Sequence, residues 1–204
     1  MEGNNDYRLG YRSDIEGLRA IAILLVVGVH AGVPWLGGGF IGVDIFFVLS
    51  GFLITGLLVQ EIARTGTLRF ADFYLRRLRR LLPALIVMLL GSALVASILL
   101  APGEQAAQAI AGATAAAWCS NVHFAFQRLD YFAAGAETNL YLHTWSLGVE
   151  EQFYLIWPAL VYLLIRRRGA TSGFARLRLG LLAVVVISLV ASVLATAFPN
   201  SPFT

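Results

Sequence analysis

Arg19 and His30 stand 11 residues apart on an apolar stretch, RAIAILLVVGVH, a spacing that puts two ionisable side chains on one stripe of a helix. Eleven residues advance about 1100°, three turns plus roughly 20°, and rise about 16 Å. Arg19 lies where the apolar run begins and a bilayer core is about 30 Å thick, so His30 falls near or somewhat past mid-membrane. A titratable group at that depth is costly and reads by default as functional. Its chemistry would be general base catalysis, because an imidazole titrates near neutrality and can take the proton of an attacking hydroxyl. The alternative is a core histidine satisfied by one hydrogen bond. Arg19 would sit at the cytoplasmic mouth, where it either contacts a substrate in line with His30 or snorkels to the interface.

A second pair of groups lies far along the chain. Glu150 and Glu151 fall about six residues, roughly 9 Å, inside an apolar segment that begins near residue 145. Successive helical residues differ by about 100°, so one carboxylate is expected to face the site and the other a neighbour. One orients the imidazole of His30 or, in the alternative, pairs with Arg19. Ser146 is one turn before Glu150 on the same face. Asp44 opens the second apolar segment, where the helix dipole stabilises an acid. Arg19, Asp44, Ser50 and Ser146 are the candidates for positioning substrate or donor, although for Ser50 the residues argue nothing beyond close packing. His123 and His143, 20 residues apart with no third ligand, make no convincing metal site, and no metal is expected.

The elements that must hold these groups are membrane helices. Of 204 residues, 58% are hydrophobic and 13% charged, outside the range of soluble domains. The first 17 residues are polar and read as a cytoplasmic tail, in which Ser13 or Asp14 caps the helix that follows; no cleavable signal is evident. Five spans are expected, over residues 18 to 36, 43 to 60, 81 to 101, 145 to 165 and 179 to 198. Gly51 and Gly56 are expected to allow close helix approach. Pro83 falls near a helix start, the Pro102-Gly103 pair ends the third span, and Pro158 bends the fourth. Residues 105 to 126 are ambiguous. The single Cys119 excludes an internal disulfide and any Cys-based metal site.

Charge decides the ambiguity. All 15 basic residues are arginine, which removes lysine nucleophiles from consideration. If residues 105 to 144 remain outside with an interfacial or re-entrant helix, then Arg8, Arg12, the group at 64, 69, 76, 77, 79 and 80, and the group at 166, 167, 168, 176 and 178 share one side, against Arg128 alone on the other. The positive-inside rule then makes the N-terminus cytoplasmic. A cysteine at Thr138 is expected to be labelled from outside.

Three strings carry a resemblance: Arg19, ten residues, His30 and then GGGFIGVDIFFVLSGFLITGLL; FYLRRLRRLLPAL from Phe73; and LHTWSLGVEEQFYLIWP from Leu142. In this order they resemble the acyltransferase 3 family, integral membrane enzymes that O-acylate carbohydrates. The resemblance implies an all-α polytopic bundle in which residues 18 to 204 form the N-terminal portion of the domain, since the family's domains have more helices than five. It implies His30 as the histidine essential for acyl transfer; Glu150 and Glu151 join it in the expected catalytic set through their comparable depth in the membrane. No permanently held cofactor is expected. The donor expected is acyl-CoA, acetyl-CoA first, whose phosphates Arg76, Arg77, Arg79 and Arg80 could contact, unless those arginines only anchor the membrane face. The acceptor is a glycan or glycoconjugate hydroxyl such as that of a polysaccharide or lipopolysaccharide, at the cytoplasmic (inner) membrane. The other partners expected are the lipid bilayer and further helices, from the same gene or another copy, with no nucleic acid. Whether the acyl group passes directly or through an acyl-histidine stays open. The rival is a transporter or flippase-like protein with a buried Arg, His and Glu pathway; the paired broken helices that would mark it are missing from the sequence.

Overall fold

The computed structural model of the chain describes residues 12–127, 138–166 and 170–197. Within these the architecture is all-α: α1 (Ser13–His30), a 3-10 turn (Gly37–Phe40), α2 (Ile41–Thr65), α3 (Phe70–Leu99), α4 (Pro102–Ala116), α5 (Ser120–Phe126), α6 (Thr144–Arg166) and α7 (Ala170–Ala197). Arg8, Arg128, Arg167 and Arg168, used above to orient the chain, lie outside the described residues.

Among the described residues, three stretches are long and apolar enough to cross a membrane: Gly37–Thr65, Phe70–Leu99 and Ala175–Ala197. The expected total of five also counts α1 and α6. α1 is only 18 residues long and carries Asp14, Glu16 and Arg19, and α6 carries Glu150, Glu151 and Gln152 in succession.

The chain forms two compact units. One holds residues 12 to 54 and Arg69–Trp157 and contains every candidate site residue. In it α1 stops at His30, earlier than expected, because Gly32 adopts φ 66° and Trp35 φ 73° and Pro34 has no N–H to continue the ladder. Neither Ser13 nor Asp14 caps it; Arg12 holds the N-cap position without capping a backbone N–H, its side chain instead clamping the Asp14 carboxylate with two hydrogen bonds of 2.7 and 2.9 Å.

α1 and α2 approach at glycines other than Gly51. A Cβ on Gly39 would stand 2.6 Å from the Leu25 carbonyl oxygen, and one on Gly42 would strike the Ala22 carbonyl, whereas one on Gly51 would meet nothing within 4 Å. Only hydrogen fits where one backbone lies on another.

α3 begins eleven residues before the expected start, so the arginine group is helical and Pro83 is interior rather than at a first turn. The cause is the row Phe73, Arg77, Leu81, Leu85, an i+4 series whose two ends are buried. The ambiguous stretch forms two helices. α4 starts with Pro102, and Glu104 reaches back to accept from the Ala101 N–H at 2.9 Å. Its 15 residues span about 22 Å, short of a bilayer core. Trp118 turns the chain at φ 55°. Buried Gln108 then donates to the Thr138 carbonyl at 3.1 Å and accepts from the Leu140 N–H at 3.0 Å, and Ala111, Ala115, Phe124, Tyr141 and Leu142 close a small core at the start of α6.

The other unit takes in Thr55–Leu68, the C-terminal part of α6 and α7. There Arg176 donates to the Leu164 carbonyl at 3.1 Å, and Gly180 gives way to the Leu164 side chain. From Leu179 to Ala197 α7 is predominantly apolar, broken only by small residues and hydroxyls.

Candidate active site

Ser146, Glu150 and Tyr154 recur at i+4 along α6, so they share one face, and Glu151 points about 100° away. Each carboxylate finds different partners. On Glu150, Oε1 accepts from Ser50 Oγ of α2 and from the Tyr154 hydroxyl, both at 2.5 Å. Glu151, with a side chain 7% exposed, pairs with Arg77 of α3 through Nη2 to Oε1 at 3.3 Å. The Arg77 guanidinium carbon stands 3.4 Å from the Tyr154 ring centroid, a cation-π stack in a largely desolvated place. Arg77 Nε is buried without a hydrogen-bond partner.

Two devices set the register of α6. One is α3, whose Tyr74 hydroxyl donates to the Leu155 carbonyl at 2.8 Å one turn beyond the Arg77 contact. The other is the turn between α4 and α5: Gln152 donates to Asn121 Oδ1 and to the Trp118 carbonyl, each at 2.9 Å, and accepts from Asn121 Nδ2 at 3.1 Å. Gly148 makes room for it, since a Cβ there would be 2.8 Å from Asn121 Oδ1.

His30 closes α1. Its Nδ1 lies 2.8 Å from the Val26 carbonyl oxygen. A carbonyl only accepts, so Nδ1 carries the hydrogen and the neutral ring presents Nε2 as its basic lone pair. The bond that fixes the tautomer thus comes from the helix's own backbone. Phe40 meets the imidazole edge-on at 5.7 Å. His143, just before α6, is an electrostatic neighbour: desolvation by surrounding protein lowers its pKa below the usual histidine value, and a proton on His30 would act in the same direction.

The remaining candidates are dispersed. α1 is unbroken from Arg19 to His30, so the two share a stripe; Arg19 also bonds Glu16 at 3.3 Å, one turn back. Asp44 is exposed in the first turn of α2. Ser146 donates to the His143 carbonyl at 3.2 Å. Arg76, Arg79 and Arg80 are exposed, while Arg77 turns inward. Among the described residues, no group of three or more His, Cys, Asp or Glu could hold a metal ion. Tyr154 is the residue that the strings and charges did not single out; its i+4 spacing from Glu150 was the available signal.

A family profile described as an acyltransferase domain matches residues 12–204. The chain belongs to the acyltransferase 3 family. Among curated proteins it is similar to peptidoglycan O-acetyltransferase OatA of Listeria monocytogenes, 38% identical over 168 residues, which is 81% of this chain and 26% of that protein. It is also similar to O-acetyltransferase OatA of Staphylococcus aureus, 41% identical over 162 residues, 79% of this chain and 26% of that protein. The aligned region thus spans about a quarter of these relatives' length. No solved structure matches.

Proposed function

We propose that this chain acts in a membrane O-acyltransferase that moves an acyl group, acetyl first, from acyl-CoA to a hydroxyl of a cell-envelope glycan of the peptidoglycan kind. The observation that carries the reading is the family match together with His30, 11 residues after Arg19 on α1, whose Nδ1 lies against the Val26 carbonyl so that Nε2 is the basic atom of the neutral ring. In the direct route the acceptor's O–H proton passes to Nε2 and the oxygen attacks the thioester carbonyl. The C–S bond then breaks, and the imidazolium returns the proton to the CoA thiolate. The names of the relatives support a glycan acceptor. Arg76, Arg79 and Arg80 suit the polyanionic donor, with the N-terminus and this arginine face in the cytoplasm. Arg19 positions the donor, and Glu150 with Ser50 forms a polar floor beside it.

The test is acetyl transfer from labelled acetyl-CoA to peptidoglycan fragments in membranes carrying the protein. Transfer that disappears in His30→Ala at unchanged protein level is the expected result. Equal transfer in that variant, or none in the wild type, overturns the reading.

A further inference from the structure

Glu150 has two carboxylate oxygens, and the structure uses them unequally. Both hydroxyl donors, Ser50 and Tyr154, fall on Oε1, and among the described residues Oε2 receives no hydrogen bond. Tyr154 is 3% exposed, and it touches both acidic systems of α6: its hydroxyl holds Glu150 while its ring lies under the guanidinium that pairs with Glu151. We propose that Tyr154 is a positioning residue for the transfer reaction, clamping Oε1 of Glu150 together with Ser50 so that Oε2 is turned to accept a hydrogen bond from a second hydroxyl of the acceptor glycan, the reacting hydroxyl giving its one proton to His30. The inference rests on the acyl-transfer reading for its substrate.

Two physical features make the clamp effective. A carboxylate rotates freely about its last bond unless donors fix it, and two donors on one oxygen define both its plane and which oxygen remains. A phenol that donates a hydrogen bond from one end and binds a cation on its face is held at two points, so its own rotation is locked. Tyr154 therefore ties the orientation of Glu150 to the Arg77–Glu151 pair, and α3 contributes to the geometry at Glu150 without touching it. No bond to substrate is assigned to Tyr154 itself.

Tyr154→Phe keeps the ring under Arg77 and removes only the donor. Since a hydrogen bond to a charged group is worth tenfold or more, kcat should fall about tenfold with the KM for acetyl-CoA unchanged. In a Glu150→Gln background the same substitution should cost little, because its effect runs through Glu150. An equal loss in both backgrounds, or no loss in either, overturns the proposal. A readout independent of turnover is the infrared carboxylate band that disappears in Glu150→Gln: it should shift in Tyr154→Phe, and an unshifted band overturns the clamp. If the wild type shows no acyl transfer, the functional reading fails while the band still decides the clamp. Tyr154→Leu, which also removes the face under Arg77, should be less stable than Tyr154→Phe; equal thermal stability of the two would overturn the coupling to Arg77.

Discussion

Ser50 on α2 and Glu150 on α6, a hundred residues apart in the chain, are joined by a hydrogen bond of 2.5 Å. Both sit in helices whose other side chains are mostly apolar, and an unpaired carboxylate there is expensive. Ser50→Ala removes one of two donors to Glu150. We expect a loss of about 1 to 3 kcal/mol in stability, read as thermal unfolding in detergent, with a lowered transfer rate. Ser50→Thr, which retains a hydroxyl, should recover part of both; a threonine variant no better than alanine would count against the bond.

Arg77 and Glu151 form the other cross-helix contact, with side chains 18% and 7% exposed. Removing one partner leaves a buried charge alone, so Arg77→Met or Glu151→Gln should each destabilise by about 3 to 5 kcal/mol. The pair Arg77→Met with Glu151→Leu removes both charges and should be markedly less costly than the sum. Additive losses in unfolding experiments would show that the two residues are not partners.

Glycine substitutions separate close approach from open surface. Gly42→Ala drives a methyl into the Ala22 carbonyl, and Gly39→Ala into Leu25; each should destabilise by about 1 to 3 kcal/mol. Gly51→Ala meets open space and should be neutral or stabilising by about 0.5 to 1 kcal/mol, since alanine is the better helix former. Reversed ranking in thermal melts would contradict the packing of α1 on α2.

His143 makes stability depend on pH. Its pKa lies below the ordinary histidine value of 6.5 in the folded protein, so near that pH the unfolded chain binds more protons. Stability then rises with pH up to the ordinary histidine value, levels off above it, and is lost as pH falls below it. His143→Gln should flatten this dependence between about pH 5 and 7; a variant melting curve that tracks the wild type across that range would rule the contribution out.

What the sequence determined by itself follows from local periodicity. Helical period and composition set the all-α membrane class, and the 11-residue spacing put Arg19 and His30 on one stripe without any knowledge of neighbours. The i+4 row from Phe73 to Leu85 also singles out Arg77 as the arginine on a buried face, a signal present but outweighed by the number of charges around it. The helix ends were harder to read, because the stop at His30 depends on left-handed turns at Gly32 and Trp35, and Trp35 carries no mark of that conformation. Only the tertiary structure decided the partners. Whether Glu150 faces Ser50, or Glu151 faces Arg77, depends on the rotation of α6 against α2 and α3. That rotation is set by contacts over long sequence separations: Tyr74 to Leu155, and Gln152 to Asn121 and Trp118. A carboxylate bonds whichever donor packing brings within 3 Å, and no spacing along one chain encodes which helix supplies it.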